Sequence, residues 1–188
     1  MQEAIPSGEG AMLVVLGISS KELDKILNEN SKKYECFIAN DNSHFQVVVS
    51  GLKKDINLLS DDLRIKKVKN LKLNVSAAFH CKYMKTASEK MANYINDLKI
   101  NDLDKPIISN VTAIETKSPE EIKSLLISQI EKKVRWLESV EYMINNGIKN
   151  FVEIGPGKVL SGLIKRINKN VNVSSINTEE DIKLLLND

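Results

Sequence analysis

The sequence predicts an α/β protein from three observations. Short apolar runs bounded by glycine or polar residues, such as AMLVVLG at 11–17, alternate with stretches whose apolar residues recur at helical spacing. The second half of the chain continues as strand followed by helix, which is typical of a largely parallel sheet covered by helices. A chain of 188 residues, 42% of them hydrophobic, can form one domain of ordinary size with a smaller insertion.

The segment 10–74 predicts six elements in the order β-α-β-β-α-β. Ser19 and Glu22 have the spacing of a capping box, so a helix is predicted to begin there, and DNSHF (41–45) reads as a loop. The predicted strands and the second helix are AMLVVLG (11–17), CFIAN (36–40), QVVVSG (46–51), the helix 52–63 and KKVKNLKLNV (66–75). This order is the split βαβ, or ferredoxin-like, arrangement.

The segment 76–188 predicts further helices and strands. Ser118 and Glu121 again have capping-box spacing, and Gly147 is predicted to end a helix in the left-handed conformation. The apolar residues at helical spacing in the first helix are Met84, Ala87, Met91, Ile95 and Leu98. The remaining elements are a strand in KPIISNVTA (105–113), helices over 118–130 and 134–147, strand–turn–helix over 151–167, a strand in 171–177 and a helix over 179–186.

Composition argues against several classes of function. Lys and Arg number 27 against 25 Asp and Glu, a net charge of +2, which is too balanced to indicate a nucleic-acid partner. No apolar run approaches the roughly 20 residues that span a bilayer, so no membrane association is expected. The two cysteines lack metal-ligand spacing, which predicts no metal site, reduced thiols and a cytoplasmic location.

Several residues could carry chemistry, and each has a plain alternative. His80 could be a general base or a hydrogen-bonded histidine beneath the core; the adjacent Cys81 should point away from it. GPGK (155–158) could hold an anion at a helix N-terminus, but it is not a nucleotide-binding fingerprint, and a tight turn is favoured. Asn42 could cap a loop or contact a ligand, and Gln129 reads as a surface amide.

Six blocks occur in an order and at a spacing that resemble a known family. They are MQEAIPSGEGAM (1–12), QVVVSG (46–51), AFHCKYMK (78–85), ISNVTA (108–113), VRWLESVEYM (134–143) and FVEIGPGKVLSGLIKRI (151–167). Together they resemble the malonyl-CoA:acyl-carrier-protein transacylases of fatty-acid synthesis and the acyltransferase domains of polyketide synthases. The resemblance implies part of an α/β-hydrolase-like acyltransferase core, residues 1–9 and 75–188, with a ferredoxin-like subdomain inserted at 10–74.

The resemblance also implies roles for individual residues. His80 matches the base that accepts a proton from a serine, and Gln129 matches the residue whose backbone carbonyl orients that histidine. Asn42 and Phe79 match positions at the substrate, where the ring of Phe79 favours malonyl over branched acyl groups. The implied reaction is a ping-pong transfer from malonyl-CoA to the phosphopantetheine thiol of acyl carrier protein. No metal or cofactor is implied, and the full-length protein is expected to be a monomer.

Two features of the family pattern do not occur in these residues. The sequence contains no GxSxG motif, which would carry the nucleophilic serine. The malonate-binding arginine of the family should fall just before the first block. We therefore expect the chain to carry only the histidine half of the mechanism and to be inactive alone. The alternatives are a non-catalytic fragment, a carrier-protein-binding relic, or part of a trans-acting polyketide acyltransferase.

Overall fold

The computed structural model of the chain describes Ala4, Pro6 and residues 8–187. The described residues form two compact units, which divide between Ser139 and Val140. The boundaries predicted for the inserted subdomain, 10–74, and for the core, 1–9 and 75–188, stay a prediction. None of the described helices is long and apolar enough to cross a membrane.

The first unit is built around a four-stranded antiparallel sheet with the strand order β2-β3-β1-β4. The four strands and the two helices between them are, in chain order, β1 (Gly10–Leu16), α1 (Ser20–Glu29), β2 (Cys36–Ser43), β3 (Gln46–Leu52), α2 (Lys53–Ile65) and β4 (Lys69–Lys72). The element order is the predicted one, and the strand order is consistent with a ferredoxin-like subdomain.

Helix α1 begins where the sequence predicts. The hydroxyl of Ser19 accepts from the backbone N–H of Glu22, and the Glu22 carboxylate accepts from the N–H of Ser19. This capping box satisfies amides that have no partner inside the helix. Leu23 and Leu27 then lie on one buried face of the helix.

The two faces of the sheet have different partners, because alternate strand residues point to opposite sides. One face packs with the two helices, and its strand residues include Leu13, Val15, Val47 and Val49, all fully buried. The opposite face presents residues packed against Phe79, namely Met12, Ala39 and Val48. The sheet therefore separates its helices from the segment that carries His80.

Strand β2 continues to Ser43, beyond the predicted end at residue 40. Its pairing with β3 is irregular between Ile38 and Asn40 and again between Asp41 and Ser43. The prediction that Asn42 lies in a loop is therefore wrong: it is the extra residue of a β-bulge. Pairing with the neighbouring strand overrides the low strand propensity of these Asn, Asp and Ser residues.

The rest of the first unit is mostly helical. A 3₁₀ turn (Lys82–Met84) leads into α3 (Lys85–Asp97), and α4 covers Pro119–Gln129. The strand predicted at 105–113 is wrong in extent: β5 is only Ile107–Ile108, which pairs antiparallel with β6 (Glu115–Thr116). The chain turns back between them, since the N–H of Ala113 donates to the carbonyl of Ser109.

Helix α4 has only half of its predicted capping box. The Ser118 hydroxyl accepts from the N–H of Glu121, as predicted. The Glu121 carboxylate instead accepts from the hydroxyl of Thr116. The Glu121 carboxylate therefore bonds to the Thr116 hydroxyl and not to the backbone N–H of the N-cap residue Ser118.

The second unit contains the only parallel pairing between described strands. Helix α5 (Trp136–Asn145) crosses the division and ends before Gly147, whose φ of 89° is the predicted left-handed conformation. The elements that follow are β7 (Asn150–Ile154), α6 (Val159–Ile167), β8 (Asn172–Ile176) and α7 (Glu179–Asn187). β7 and β8 pair in parallel, with α6 as their crossover. The largely parallel sheet expected from the sequence is thus limited to this pair among the described strands.

Candidate active site

His80 lies on a short buried segment between the sheet and α3. Ala77 and Ala78 are almost fully buried, and the backbone there runs against β1 at Gly10. His80 itself has φ of 57°, a left-handed conformation that is uncommon for residues other than glycine. The tight packing of its neighbours holds the backbone in this conformation, which is a frequent feature of functional sites.

One ring nitrogen of His80 contacts the end of α4. Its Nδ1 atom lies 2.9 Å from the backbone oxygen of Gln129, the last residue of that helix. Carbonyls in the last turn of a helix lack partners inside the helix, so this oxygen is free to accept. A carbonyl only accepts hydrogen bonds, so Nδ1 carries the proton, and Nε2 of a neutral ring is an acceptor.

The segment after Gln129 is held from several sides. The Gln129 side-chain amide donates to the carbonyl of Lys132 over 3.1 Å. The hydroxyl of Ser88 on α3 donates to the carboxylate of Glu131. The N–H of Val134 donates to the carbonyl of Ala39 on β2 over 2.8 Å. The carbonyl that faces His80 is therefore part of a fixed turn.

The two other predicted site residues have different surroundings. Phe79 is half-buried and packs both on the sheet face and on the alanine-rich cluster around Ala77 and Ala78. Asn42 is half-buried in the bulge of β2, and among the described residues no hydrogen bond joins it to His80. Their roles at a substrate stay predictions.

His80 also lines an open cavity of about 940 Å³ in the first unit. The cavity lies beside α1, β2 and the segment 131–138, and its walls carry charges of both signs. These charged side chains include Asp41, Lys132, Lys133 and Glu138. His80 is therefore open to solvent through this cavity.

Cys81 is not a partner nucleophile for His80. Its Sγ donates to the carbonyl of Ala78 over 3.2 Å, and burial raises the pKa of the thiol. A buried thiol that stays protonated is a poor nucleophile. Both cysteines are unpaired, and burial raises the pKa of Cys36 to about 12.

A surface cluster that sequence reasoning missed fixes the segment after His80. The Glu35 carboxylate accepts from Nζ of Lys82 over 2.6 Å and from the hydroxyl of Tyr83 over 2.8 Å. The Tyr83 ring meets Phe37 edge to face with centroids 5.9 Å apart. These residues tie the 3₁₀ turn to the start of β2. Sequence spacing could not reveal them, because the partners lie far apart along the chain.

The GPGK turn contains its own anionic group. The Glu153 carboxylate accepts from the N–H of Leu160 over 3.0 Å and of Ser161 over 2.7 Å, at the start of α6. Hydrogen bonds from Ser161 and the first amides of α6 hold the pKa of Glu153 below its usual value. Gly155 and Gly157 have positive φ, so the turn needs their freedom. These amides are already occupied, which agrees with the favoured reading as a tight turn.

No group of three or more histidine, cysteine or acidic residues in the described part of the chain could hold a metal ion. The prediction that the reaction needs no metal or cofactor remains open to test.

The chain is similar over nearly its whole length to curated malonyl CoA-acyl carrier protein transacylases. It is 37% identical to that of Bacillus subtilis over 188 residues, covering 99% of this chain and 59% of the relative. It is 41% identical to that of Staphylococcus aureus strain MRSA252 over 189 residues, covering 97% of this chain and 60% of the relative. The chain thus spans about three fifths of these relatives. No family model matches the chain.

Solved structures show the same similarity. An acyl-carrier-protein-S-malonyltransferase from Bartonella henselae superimposes with a TM-score of 0.94 at 36% identity, covering 99% of this chain and 60% of that one. A malonyl-transacylase solved with a type II PKS acyl-carrier protein gives 0.92 at 34% identity, covering 100% and 61%. The family resemblance and the α/β fold class predicted from the sequence are confirmed: the chain is a homologue of the malonyl CoA-acyl carrier protein transacylases.

Proposed function

We propose that this homologue of the malonyl CoA-acyl carrier protein transacylases supplies the proton-transfer half of a malonyltransferase. The reaction moves a malonyl group from malonyl-CoA to the phosphopantetheine thiol of acyl carrier protein, in fatty-acid synthesis. His80 is the general base, and a serine from outside these 188 residues is the nucleophile. Phe79 and Asn42 line the substrate.

The observation that supports this proposal best is the 2.9 Å contact between Nδ1 of His80 and the oxygen of Gln129. A neutral ring held this way keeps Nε2 unprotonated and directed away from α4. Such a nitrogen can take a proton from a hydroxyl, because the unprotonated nitrogen of a neutral imidazole is a base. A carbonyl here does the orienting that a carboxylate does in a Ser-His-Asp triad.

The proposed chemistry proceeds in two balanced half-reactions. The serine Oγ attacks the thioester carbon while His80 takes its proton; the carbon–sulfur bond then breaks, and CoA leaves with that proton. In the second half, His80 takes the proton of the phosphopantetheine thiol, whose sulfur attacks the malonyl-serine ester. The carbon–oxygen bond breaks, and the serine recovers its proton.

A chimera tests the proposal. In the Staphylococcus aureus relative, the region that aligns with this chain, 60% of the relative, is replaced by this chain. Transfer from malonyl-CoA to acyl carrier protein is then measured. We expect transfer by the chimera. We expect His80→Ala to lower the rate by about 10²–10⁴-fold, the usual contribution of a general base.

The control is Lys90→Ala, because Lys90 lies at an exposed position on α3, outside the groups described at the site. It should leave the rate of the chimera near its starting value. A His80→Ala chimera with a near-normal rate would remove His80 from the mechanism. The isolated chain, incubated with labelled malonyl-CoA, should retain no covalent label after denaturation.

The absence of a GxSxG motif favours one second candidate, a module that binds acyl carrier protein without transferring a group. In that case the isolated chain would bind the carrier protein, while the chimera would transfer no malonyl group. Transfer by the chimera would rule this candidate out.

A further inference from the structure

Asp41 is a buried carboxylate with an unusual environment. Only 6% of the residue is exposed, and its Oδ1 has no hydrogen-bond partner among the described residues. Burial raises the pKa of Asp41, while hydrogen bonding to Ser20 and the charge of Lys133 oppose that rise. Burying a charged carboxylate costs free energy unless the group is paired or hydrogen-bonded. The partners of Asp41 therefore matter for the structure around it.

The charged groups that face Asp41 come from the segment after Gln129. Nζ of Lys133 lies 4.0 Å from Oδ2 of Asp41 and 3.8 Å from Oε1 of Glu138. His44, at the end of the same hairpin, adds a further favourable charge when protonated. Arg135 pairs with Glu138 and donates to the carbonyl of Thr112 over 2.9 Å. The cluster thus links β2 to the segment 133–138 and to the turn before β6.

The backbone of Asp41 makes the same connection. Its N–H donates to the carbonyl of Val134 over 2.9 Å, and the N–H of Val134 donates to Ala39, one strand position before Asn40. Both the main chain and the side chain of Asp41 therefore hold the segment that begins at Gln129. The intervening Ile130 is buried against Met84 and Ala87, which leaves the segment little freedom.

We propose that Asp41 is a positioning residue, which acts through Lys133 and the segment 129–134 to hold the Gln129 carbonyl against Nδ1 of His80. The catalytic part of this inference rests on the proposed role of His80; the positioning part does not. Without the carboxylate, Lys133 loses its buried partner and the segment loses a side-chain link to β2. The carbonyl is then held less firmly, and the His80 ring samples the other tautomer.

Nitrogen-15 spectroscopy of the 188-residue chain measures this directly. The two histidines are labelled, and His80 is assigned with His80→Ala. In the unchanged chain the neutral His80 ring should show a protonated Nδ1 and an unprotonated Nε2. In Asp41→Asn and in Lys133→Met, both resonances should move toward the mixed-tautomer values of free imidazole.

Lys133→Met is the second variant because Lys133 is partly exposed, so we expect this chain to fold even where Asp41→Asn does not. The control is Asp62→Asn. Asp62 lies on α2 and forms a different ion pair, in which its Oδ1 is 2.6 Å from Nζ of Lys33. It should leave the His80 resonances unchanged. Unchanged resonances in both test variants would overturn the proposal.

The chimera separates this inference from the proposed function. If His80 is the base, Asp41→Asn should lower kcat severalfold with little change in KM, because the substrate contacts remain. If the resonances move and kcat does not, the positioning role stands and the catalytic role of His80 fails. If neither changes, Asp41 has no positioning role.

Discussion

His80 and Gln129 meet through a side chain and a backbone oxygen, 2.9 Å apart and separated by 49 positions in the sequence. A backbone carbonyl cannot be removed by substituting its side chain, so the tautomer of the histidine depends on where α4 ends. The end of α4 therefore supplies the oxygen that fixes the tautomer of His80, and the side chain of Gln129 does not.

Gln129→Ala tests this relationship. The substitution removes the side-chain hydrogen bond to Lys132 but leaves the carbonyl. We expect a loss of about 0.5–1.5 kcal/mol at most in the free energy of unfolding, measured by urea titration. The transfer rate of the chimera should stay close to its starting value. A rate loss as large as that of His80→Ala would mean that the amide side chain takes part in the chemistry.

Local signals in the sequence predict much of this fold. The spacing of Ser19 and Glu22 predicts where α1 begins, because the two residues of the capping box are only three positions apart. Gly147 ends α5 as predicted, since a glycine accommodates positive φ without a side-chain clash. Apolar periodicity likewise predicts the helices and most strands, because it reports which face each element buries.

Long-range pairing could not be predicted from these residues. The bulge at Asn42 depends on the register with β3, and Glu121 leaves its N-cap for Thr116, which the spacing does not reveal. The pairing of Asp41 with Lys133 joins distant segments in the same way. In the site, the sequence marks His80 only as a candidate, since its backbone partner has no side-chain signature; the expected partner came from the family resemblance.

Gly10→Ala should displace the backbone of Ala77 and Ala78, which lead to His80. A Cβ at Gly10 would lie 2.6 Å from the backbone nitrogen of Ala78 and 2.7 Å from backbone atoms of Ala77. Because the obstacle is main chain, the segment must shift, and overpacking of this kind costs about 1–3 kcal/mol. We expect a lower urea midpoint and altered nitrogen-15 resonances of His80.

Gly162→Ala is the matched control for this change. Gly162 lies within α6, and a Cβ there meets nothing within 4 Å. The substitution should stabilise the helix by about 0.5–1 kcal/mol and leave His80 unchanged. Equal effects of both alanines on the His80 resonances would contradict the close approach at Gly10.

Stability should depend on pH with opposite contributions from two acids. The hydrogen bond from Arg135 holds the pKa of Glu138 below its usual 4.5, so its stabilisation is present above that value and is lost as the pH falls through the lowered pKa. Burial raises the pKa of Asp41 above 3.8, so the folded state gains relative stability as the pH falls through that raised value.

Urea midpoints measured from neutral to acid pH check the two signs. Glu138→Gln should lower the midpoint near neutral pH and flatten the acid loss. Asp41→Asn should remove the opposing gain, so its midpoint should fall more steeply with acid than that of the unchanged chain. The same acid slope in Asp41→Asn and the unchanged chain would show that the carboxylate of Asp41 is not buried in solution.

Glu153→Ala should turn the start of α6 into an anion-accepting site. The substitution frees the N–H groups of Leu160 and Ser161, which otherwise donate to the Glu153 carboxylate. Free amides and the helix dipole at an N-terminus attract anions. We expect a lower melting temperature in dilute buffer and a partial recovery when inorganic phosphate is added. Glu180→Ala, at an exposed position in the first turn of α7, is the control and should show no specific response to phosphate. An equal phosphate response in the unchanged chain would show that the Glu153 carboxylate does not occupy those amides.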